Sequence, residues 1–297
     1  MKIVYFGTPE FASSQLDAII AAGYEVAAVV TVPDKPAGRG KKIQCSDVKE
    51  TAMKHGLPIM QPVSLKSQEF LDELSSYNAD LFVVVAFRML PEVVWSMPSM
   101  GTFNLHASLL PQYRGAAPIN HVIINGEKET GLTTFLLDKE IDTGEIIKQV
   151  VVPIEENETA GSLHDKLMLL GNSVVVETIK MLEDGTVKSQ SQEIIIKRDN
   201  LRLKPAPKIF KEDCKIDWTK NAKSVYDFIR GLSPYPAAHT QFVAESGDVL
   251  DLKIFDVSLC EKTSSDDELY QVKTDGKSYL KVVLKDFCIS INVLQQA

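Results

Sequence analysis

The sequence predicts a doubly wound α/β domain built on a mostly parallel sheet, followed by a small β-barrel domain. Three observations carry this. Short Val-, Ile- and Ala-rich runs alternate with helical patterns over residues 1–189. Periodicity then lapses over 190–207, which carries Pro205-Ala206-Pro207 and is expected to be a linker. From 208 onward, one helical stretch gives way to short strand-like segments, the pattern of a partly open barrel.

The elements follow in order. Residues 2–6 are strand-like, and Pro9 suits the first turn of a helix because its missing N–H costs nothing there. Phe11, Leu16, Ile19 and Ile20 give that helix an apolar face, and Gly23 is placed as its C-terminal cap. The run 25–32 is nearly continuous in Val and Ala, as expected of a parallel strand covered on both faces. Strands are expected again at 81–86 and 102–106, with helices around 47–55, 67–77 and 91–96. A long helical pattern runs from 160 to 183 through Leu163, Leu167, Leu170, Val174 and Ile179. Beyond the linker, a helix at about 220–231 precedes strands at 238–243, 250–257, 270–274, 279–283 and 287–291.

The bulk numbers exclude several classes. The chain has 297 residues, 44% of them hydrophobic, enough for one large or two ordinary domains. No apolar run approaches the roughly 20 residues needed to cross a bilayer, and the first residues are too short an apolar stretch for a signal peptide. Cys45, Cys214, Cys260 and Cys288 form no C-x-x-C pair, so zinc ribbons and thioredoxin-like motifs are not expected. A reduced, cytoplasmic, monomeric protein without membrane attachment is the simplest expectation. The net charge of −8 argues against a generally basic nucleic-acid binder, though not against a local patch. The linker alone is net positive, with Lys197, Arg198, Arg202 and Lys204 against Glu193 and Asp199.

The chemistry centres on Asn104-Leu105-His106. Alternate strand residues share a face, so Asn104 and His106 point together, with α-carbons about 6.7 Å apart. One oxygen atom fits between two such donors, the geometry of a site for the oxyanion formed when a carbonyl is attacked. A single donor of this kind is worth roughly 3–4 kcal/mol in the transition state. Asp142, in Ile141-Asp142-Thr143-Gly144, is a lone carboxylate that could hold the imidazole and accept a proton. On spacing alone, the plainer alternative stays open: a structural His at a strand end and an ordinary Asp-Thr-Gly turn. Gly-x-Ser-x-Gly is absent and no Cys has a nearby His, so a covalent nucleophile is not expected. His55, His121, His164 and His239 lack metal-like spacing, and no metal is expected. The first βα turn has one glycine where dinucleotide binders need three, so no NAD site is expected.

A second feature is the loop from Pro33 to about Asp47. It exceeds the roughly 2–6 residues usual for such connections, and carries Lys35, Arg39, Lys41 and Lys42 between glycines and prolines. A basic loop of this kind can grip phosphates and thread an Arg into a nucleic-acid groove. A solvated loop without a partner is the alternative.

Asn104-x-His106, Ser108-Leu109-Leu110-Pro111, Tyr113-Arg114-Gly115-Ala116-Ala117-Pro118 and Ile141-Asp142-Thr143-Gly144 together resemble the folate-dependent formyltransferases. The Phe6-Gly7-Thr8-Pro9-Glu10-Phe11-Ala12 turn and the Pro-Ala-Gly-Arg-Gly-Lys-Lys loop narrow the resemblance to the branch that formylates methionyl-tRNA, and it extends through Cys214-Lys215-Ile216-Asp217-Trp218 and Leu232-Ser233-Pro234-Tyr235-Pro236. The resemblance implies a Rossmann-like catalytic domain at 1–189, a linker at 190–207 and an OB-like, tRNA-binding β-barrel at 208–297. It implies 10-formyltetrahydrofolate as formyl donor and the α-amino group of initiator methionyl-tRNA as acceptor. Asn104, His106 and Asp142 would be the catalytic set, and Phe87 with Ser108, Leu109, Leu110 and Pro111 would line the folate site. Arg39, with Lys35, Lys41 and Lys42, would meet the acceptor end of the tRNA, while Lys204 and Lys208 would track its backbone.

Three departures stand against the family pattern. The stretch Val84-Val85-Ala86-Phe87-Arg88-Met89-Leu90-Pro91 differs from the usual Ala-Tyr-Gly pattern and is one residue shorter. The barrel is not net basic, so tRNA must meet a patch or a stripe. The sequence stops at Gln295-Gln296-Ala297, before the Gly-Lys-containing tail of many members, and a weakened tRNA grip is expected. The rival activities are formylation of a small amine, deformylation with water as acceptor, and a noncatalytic RNA-binding role. The basic loop argues against the first two, and retention of Asn104, His106 and Asp142 argues against the third.

Overall fold

The computed structural model describes residues 1–37, 42–243, 246–261 and 269–296. In chain order its elements are β1 (Lys2–Gly7), α1 (Glu10–Ala21), β2 (Glu25–Val30), β3 (Lys35–Ala37), β4 (Lys42–Gln44), α2 (Asp47–Lys54), β5 (Ile59–Met60), α3 (Gln68–Ser76), β6 (Leu81–Val85), α4 (Glu92–Trp95) and β7 (Thr102–His106). Then come α5 (Pro118–Ile124), β8 (Glu129–Leu136), β9 (Ile146–Pro153), α6 (Ala160–Glu183) and α7 (Gln192–Arg198). A 3-10 turn (Lys211–Cys214) leads into α8 (Ala222–Leu232), β10 (Ala238–Val243), β11 (Val249–Cys260), β12 (Val272–Thr274), β13 (Leu280–Val283) and β14 (Cys288–Gln296).

The chain forms two compact units. The first comprises Met1–Arg114, Gly131–Val152 and Asp165–Lys204. It is built on a seven-stranded sheet of order β5-β2-β1-β6-β7-β8-β9. Pairing is parallel from β5 through β7 and antiparallel between β7 and β8. The order reverses at β1, as a doubly wound sheet requires, so the crevice for a ligand lies beyond the carboxyl ends of these strands. Val4, Phe6, Val84, Leu74 and Val94 are among the buried residues of one apolar layer. A fully buried side chain of this size contributes about 1.5–3 kcal/mol. Ser46 caps α2 by accepting from the backbone N–H of Lys49 at 3.1 Å.

The second unit comprises Gly115–Thr130, Pro153–His164 and Pro205–Ala297. Its sheet is antiparallel, of order β10-β11-β14-β13-β12, and among the described residues it stays open between its edge strands. This is the partly open, OB-like half-barrel expected. Its core joins Ile229 and Leu232 of α8 to Ile254, Leu284 and Ile289. Asn221 caps α8 by accepting from Ser224 N at 2.8 Å. Helix α5 also belongs to this unit: Asn120 donates to the carbonyl of Gly231 at 2.8 Å, and Ile124 packs on the same core.

The fold class stands as the sequence predicts it, and so do most elements. Strands β5, β8 and β9, the β3–β4 ladder and helix α5 are additions to the sequence pattern. Strand β8 escapes apolar periodicity because Thr130, Thr133 and Thr134 are buried in it, their hydroxyls polar but their branched carbons suited to a pleat. The stretch expected as linker also carries α7, whose buried face is only Gln192 and Ile195.

Candidate active site

Asn104 and His106 lie on the last three residues of β7, between parallel β6 and antiparallel β8. Asn104 pairs with Val84 and Phe135, and His106 pairs with Thr133. Paired residues share a face, so the two polar groups look out over the same side of the sheet. On the opposite side, Leu105 lies against Gly171 of α6. The amide of Asn104 is partly exposed and has no hydrogen-bond partner among the described residues.

His106 is only 7% exposed. Its Nε2 lies 2.9 Å from the carbonyl oxygen of Tyr113. A carbonyl only accepts, so Nε2 carries a proton and donates. The other nitrogen, Nδ1, faces Asp142 Oδ2 at 3.9 Å. That distance suits a charge interaction rather than a direct hydrogen bond. With Nε2 committed to Tyr113, Nδ1 is the ring nitrogen turned toward the Asp142 carboxylate.

Asp142 stands on the connection between β8 and β9 in the left-handed region, at φ +55°. Asp tolerates this conformation better than most residues. The connection is organised by Asp138, which accepts from Thr143 Oγ1 at 2.7 Å and from Glu140 N at 3.1 Å. Gly144 is required by close approach, since a Cβ there would strike the carbonyl oxygen of Leu136. Two residues the sequence pattern did not single out complete the arrangement. Gln192 Nε2 donates to Asp142 O at 3.0 Å and to Gly144 O at 2.8 Å. Its Oε1 accepts from Arg114 Nε at 3.1 Å and Nη2 at 2.7 Å. Burial pushes the Arg114 guanidinium below its ordinary value, opposed first by the Asp142 carboxylate. Arg114 was within reach of sequence reading, in the Tyr-Arg-Gly run; Gln192, one of two glutamines shortly before three isoleucines, carried no signal.

The segment after β7 is fixed by a buried hydroxyl. Thr133 Oγ1 donates to Ser108 O at 2.6 Å and accepts from Leu110 N at 3.2 Å and Gln149 Nε2 at 2.9 Å. Ser108, Leu110 and Pro111 are buried and Leu109 is half-buried. The Ser108 hydroxyl donates to Gln112 O at 2.8 Å. The segment therefore presents backbone and the Leu109 side chain. Phe87, just past β6, is half-buried and meets Phe6 edge-on at 5.8 Å. Arg88 donates to the carbonyls of Pro62 and Val63.

The basic residues are dispersed. Lys35 is exposed on β3, which pairs antiparallel with β4. Arg39 and Lys41 lie outside the described residues, as does the side chain of Lys42. Lys204 is exposed, and its backbone is tied to the Tyr113 loop: Tyr113 N donates to Lys204 O at 2.7 Å, and Lys204 N donates to Gln112 Oε1 at 2.7 Å. In the second unit, exposed Lys208 places its ammonium 5.3 Å from the Phe210 ring centroid. Among the described residues, no three His, Cys, Asp or Glu side chains are grouped to hold a metal ion. No helix there is long and apolar enough to cross a membrane.

The sheet order and the site define the class. The formyl transferase family model matches residues 1–179, and that of the formyl transferase C-terminal domain matches 208–297. The methionyl-tRNA formyltransferase of Bacteroides fragilis is 54% identical over 297 residues, covering 99% of this chain and 90% of that protein. The chain belongs to the methionyl-tRNA formyltransferase family. Among solved structures, WlaRD, a sugar 3N-formyltransferase studied in the presence of dTDP and 5-N-formyl-THF, matches 98% of this chain and 97% of its own, with a TM-score of 0.67 and 21% identity. HypX from Aquifex aeolicus in complex with tetrahydrofolic acid matches all of this chain and 44% of its own, with a TM-score of 0.64 and 17% identity. These two likenesses are of fold; both structures involve folate compounds.

Proposed function

We propose that the protein transfers the formyl group of 10-formyltetrahydrofolate to the α-amino group of initiator methionyl-tRNA, giving N-formylmethionyl-tRNA. The observation that carries this reading is His106 held between Tyr113 O and Asp142, on the face it shares with Asn104. The relationship to methionyl-tRNA formyltransferases along the whole chain supports the acceptor.

The chemistry needs no covalent enzyme intermediate. An α-amine has a pKa near 7.7–8.0, so a neutral nucleophile is available at ordinary pH. Its lone pair forms a bond to the formyl carbon, and the carbonyl π pair moves to oxygen. Asn104 donates to that oxyanion. Since Nε2 of His106 is engaged with Tyr113, donation from His106 comes from an Nδ1–H, on the side of the ring that faces Asp142. Asp142 receives the proton the amine loses. Collapse of the intermediate breaks the bond between carbon and N10, and the proton delivered from His106 Nδ1 ends on N10. Leu109, Phe87 and the backbone of 108–111 would border the folate. Lys35, Arg39, Lys41 and Lys42 would meet the acceptor end of the tRNA, and Lys204 and Lys208 its backbone.

The test supplies purified protein with 10-formyltetrahydrofolate and either methionyl-tRNA or no acceptor. Tetrahydrofolate release that requires the charged tRNA is expected. Release that ignores the tRNA would point to water or a small amine and overturn the acceptor assignment.

A further inference from the structure

A catalytic carboxylate on an exposed turn needs something to hold it. Asp142 follows Ile141, which is 61% exposed, yet the Asp142 side chain must stay beside a buried imidazole. Gln192, 1% exposed, supplies the tie. Its amide is fully used: both N–H bonds go to backbone carbonyls on either side of Thr143, and its oxygen accepts twice from one guanidinium. The partners also fix the amide's orientation, because carbonyls only accept and a guanidinium only donates.

These contacts close a ring. His106 Nε2 donates to Tyr113 O, the next residue is Arg114, and Arg114 binds Gln192. Gln192 in turn binds the backbone of Asp142, whose carboxylate faces back to His106 Nδ1. Any shift of Gln192 moves Asp142 relative to His106 without touching either side chain.

We infer that Gln192 is a positioning residue for the reaction: it sets the separation of Asp142 from His106 through the backbone of the Asp142 turn, with Arg114 anchoring it from behind. The inference rests on the assignment of Asp142 to catalysis given above. Gln192→Glu tests it well. The carboxylate keeps the shape and the Arg114 contact, but cannot donate to the carbonyls of Asp142 and Gly144, and repels them.

The experiment is a double-mutant cycle on the full chain with Gln192→Glu, Asp142→Asn and the double variant, following tetrahydrofolate release. A displacement of about 1 Å can cost about 100-fold, so Gln192→Glu should lower kcat about 10- to 100-fold, with KM for folate and tRNA within about 3-fold. In the Asp142→Asn background, the same change should cost at most a further 3-fold or so, because a group that acts through Asp142 has nothing left to position. A multiplicative loss in the double variant, or a loss confined to KM, would overturn the inference. Gln192→Met replaces Gln192→Glu if the latter does not fold, and failure of both to fold would make the contact structural and overturn the inference too. Tetrahydrofolate release reports the cycle whether an amine or water is the acceptor, so a wrong acceptor assignment appears separately, as turnover of the unaltered protein without tRNA.

Discussion

Thr133→Val removes one oxygen from the structure and should be felt at both the fold and the proposed folate site. The Thr133 hydroxyl is fully buried and makes three hydrogen bonds. Valine has nearly the same shape, so packing changes little. Without the hydroxyl, Ser108 O and Leu110 N lose a buried partner, while Gln149 Nε2 keeps its bond to Leu110 O at 2.7 Å. Each orphaned buried group costs about 1–3 kcal/mol. Partly offset by the extra apolar methyl, the net destabilisation should be about 2–4 kcal/mol. At about 2–4 °C per kcal/mol for a unit of this size, Tm should fall by about 4–16 °C. The affected backbone is that of 108–111, so KM for 10-formyltetrahydrofolate should rise several-fold while KM for methionyl-tRNA holds. Differential scanning calorimetry and steady-state kinetics read the two effects. An unchanged Tm with an unchanged folate KM would refute the assignment of Thr133 as the buried brace of this segment.

Other perturbations separate the remaining parts. Gly144→Ala sets a methyl against Leu136 O and should displace the Asp142 turn. A kcat loss of about 10-fold or more is expected in a chain whose circular dichroism is preserved; unchanged kcat would mean the turn tolerates the shift. Arg39→Ala should cripple tRNA formylation and leave folate affinity intact by fluorescence titration, whereas equal loss of both would make the loop structural. Affinity for tRNA, measured by filter binding, should fall steeply between low and moderate salt; a flat dependence would exclude phosphate contacts by these lysines. On the acid side, the Asp275 carboxylate accepts from the Ser278 hydroxyl and from the backbone N–H groups of Ser278 and Lys277, which hold it well below its ordinary value. A depressed carboxylate stabilises fully above its unfolded pKa, near 3.9, and that contribution is lost as pH falls. Asp275→Asn should therefore flatten the decline of Tm below about pH 4, and an unaltered slope would show the contact is not retained in solution.

The alternation of strand and helix was legible because β1, β2 and β6 are covered on both faces and read as unbroken apolar runs. The same logic hid β8, whose buried threonines look polar in sequence yet satisfy their hydroxyls inside the fold, as Thr134 does with Thr178 at 2.9 Å. Asn104 and His106 were legible as a pair because a strand's period fixes which residues share a face. Their partner Asp142 could be named but not placed, since its approach to His106 depends on a turn and on Gln192, 50 residues further along the chain. A short helix in a stretch without periodicity gives no apolar stripe to read, so α7 and its buried amide were invisible. Tertiary hydrogen bonds of this kind leave no local pattern.

The most direct test follows the formyl group itself. In a single turnover with 10-formyltetrahydrofolate carrying an isotopically labelled formyl carbon and methionyl-tRNA in excess, the label should appear on the α-nitrogen of methionine at the rate tetrahydrofolate appears, with none on the protein, and Asp142→Asn should slow both signals by the same large factor. Label recovered as formate, or held covalently on the enzyme before it reaches the tRNA, would contradict direct transfer through Asn104, His106 and Asp142.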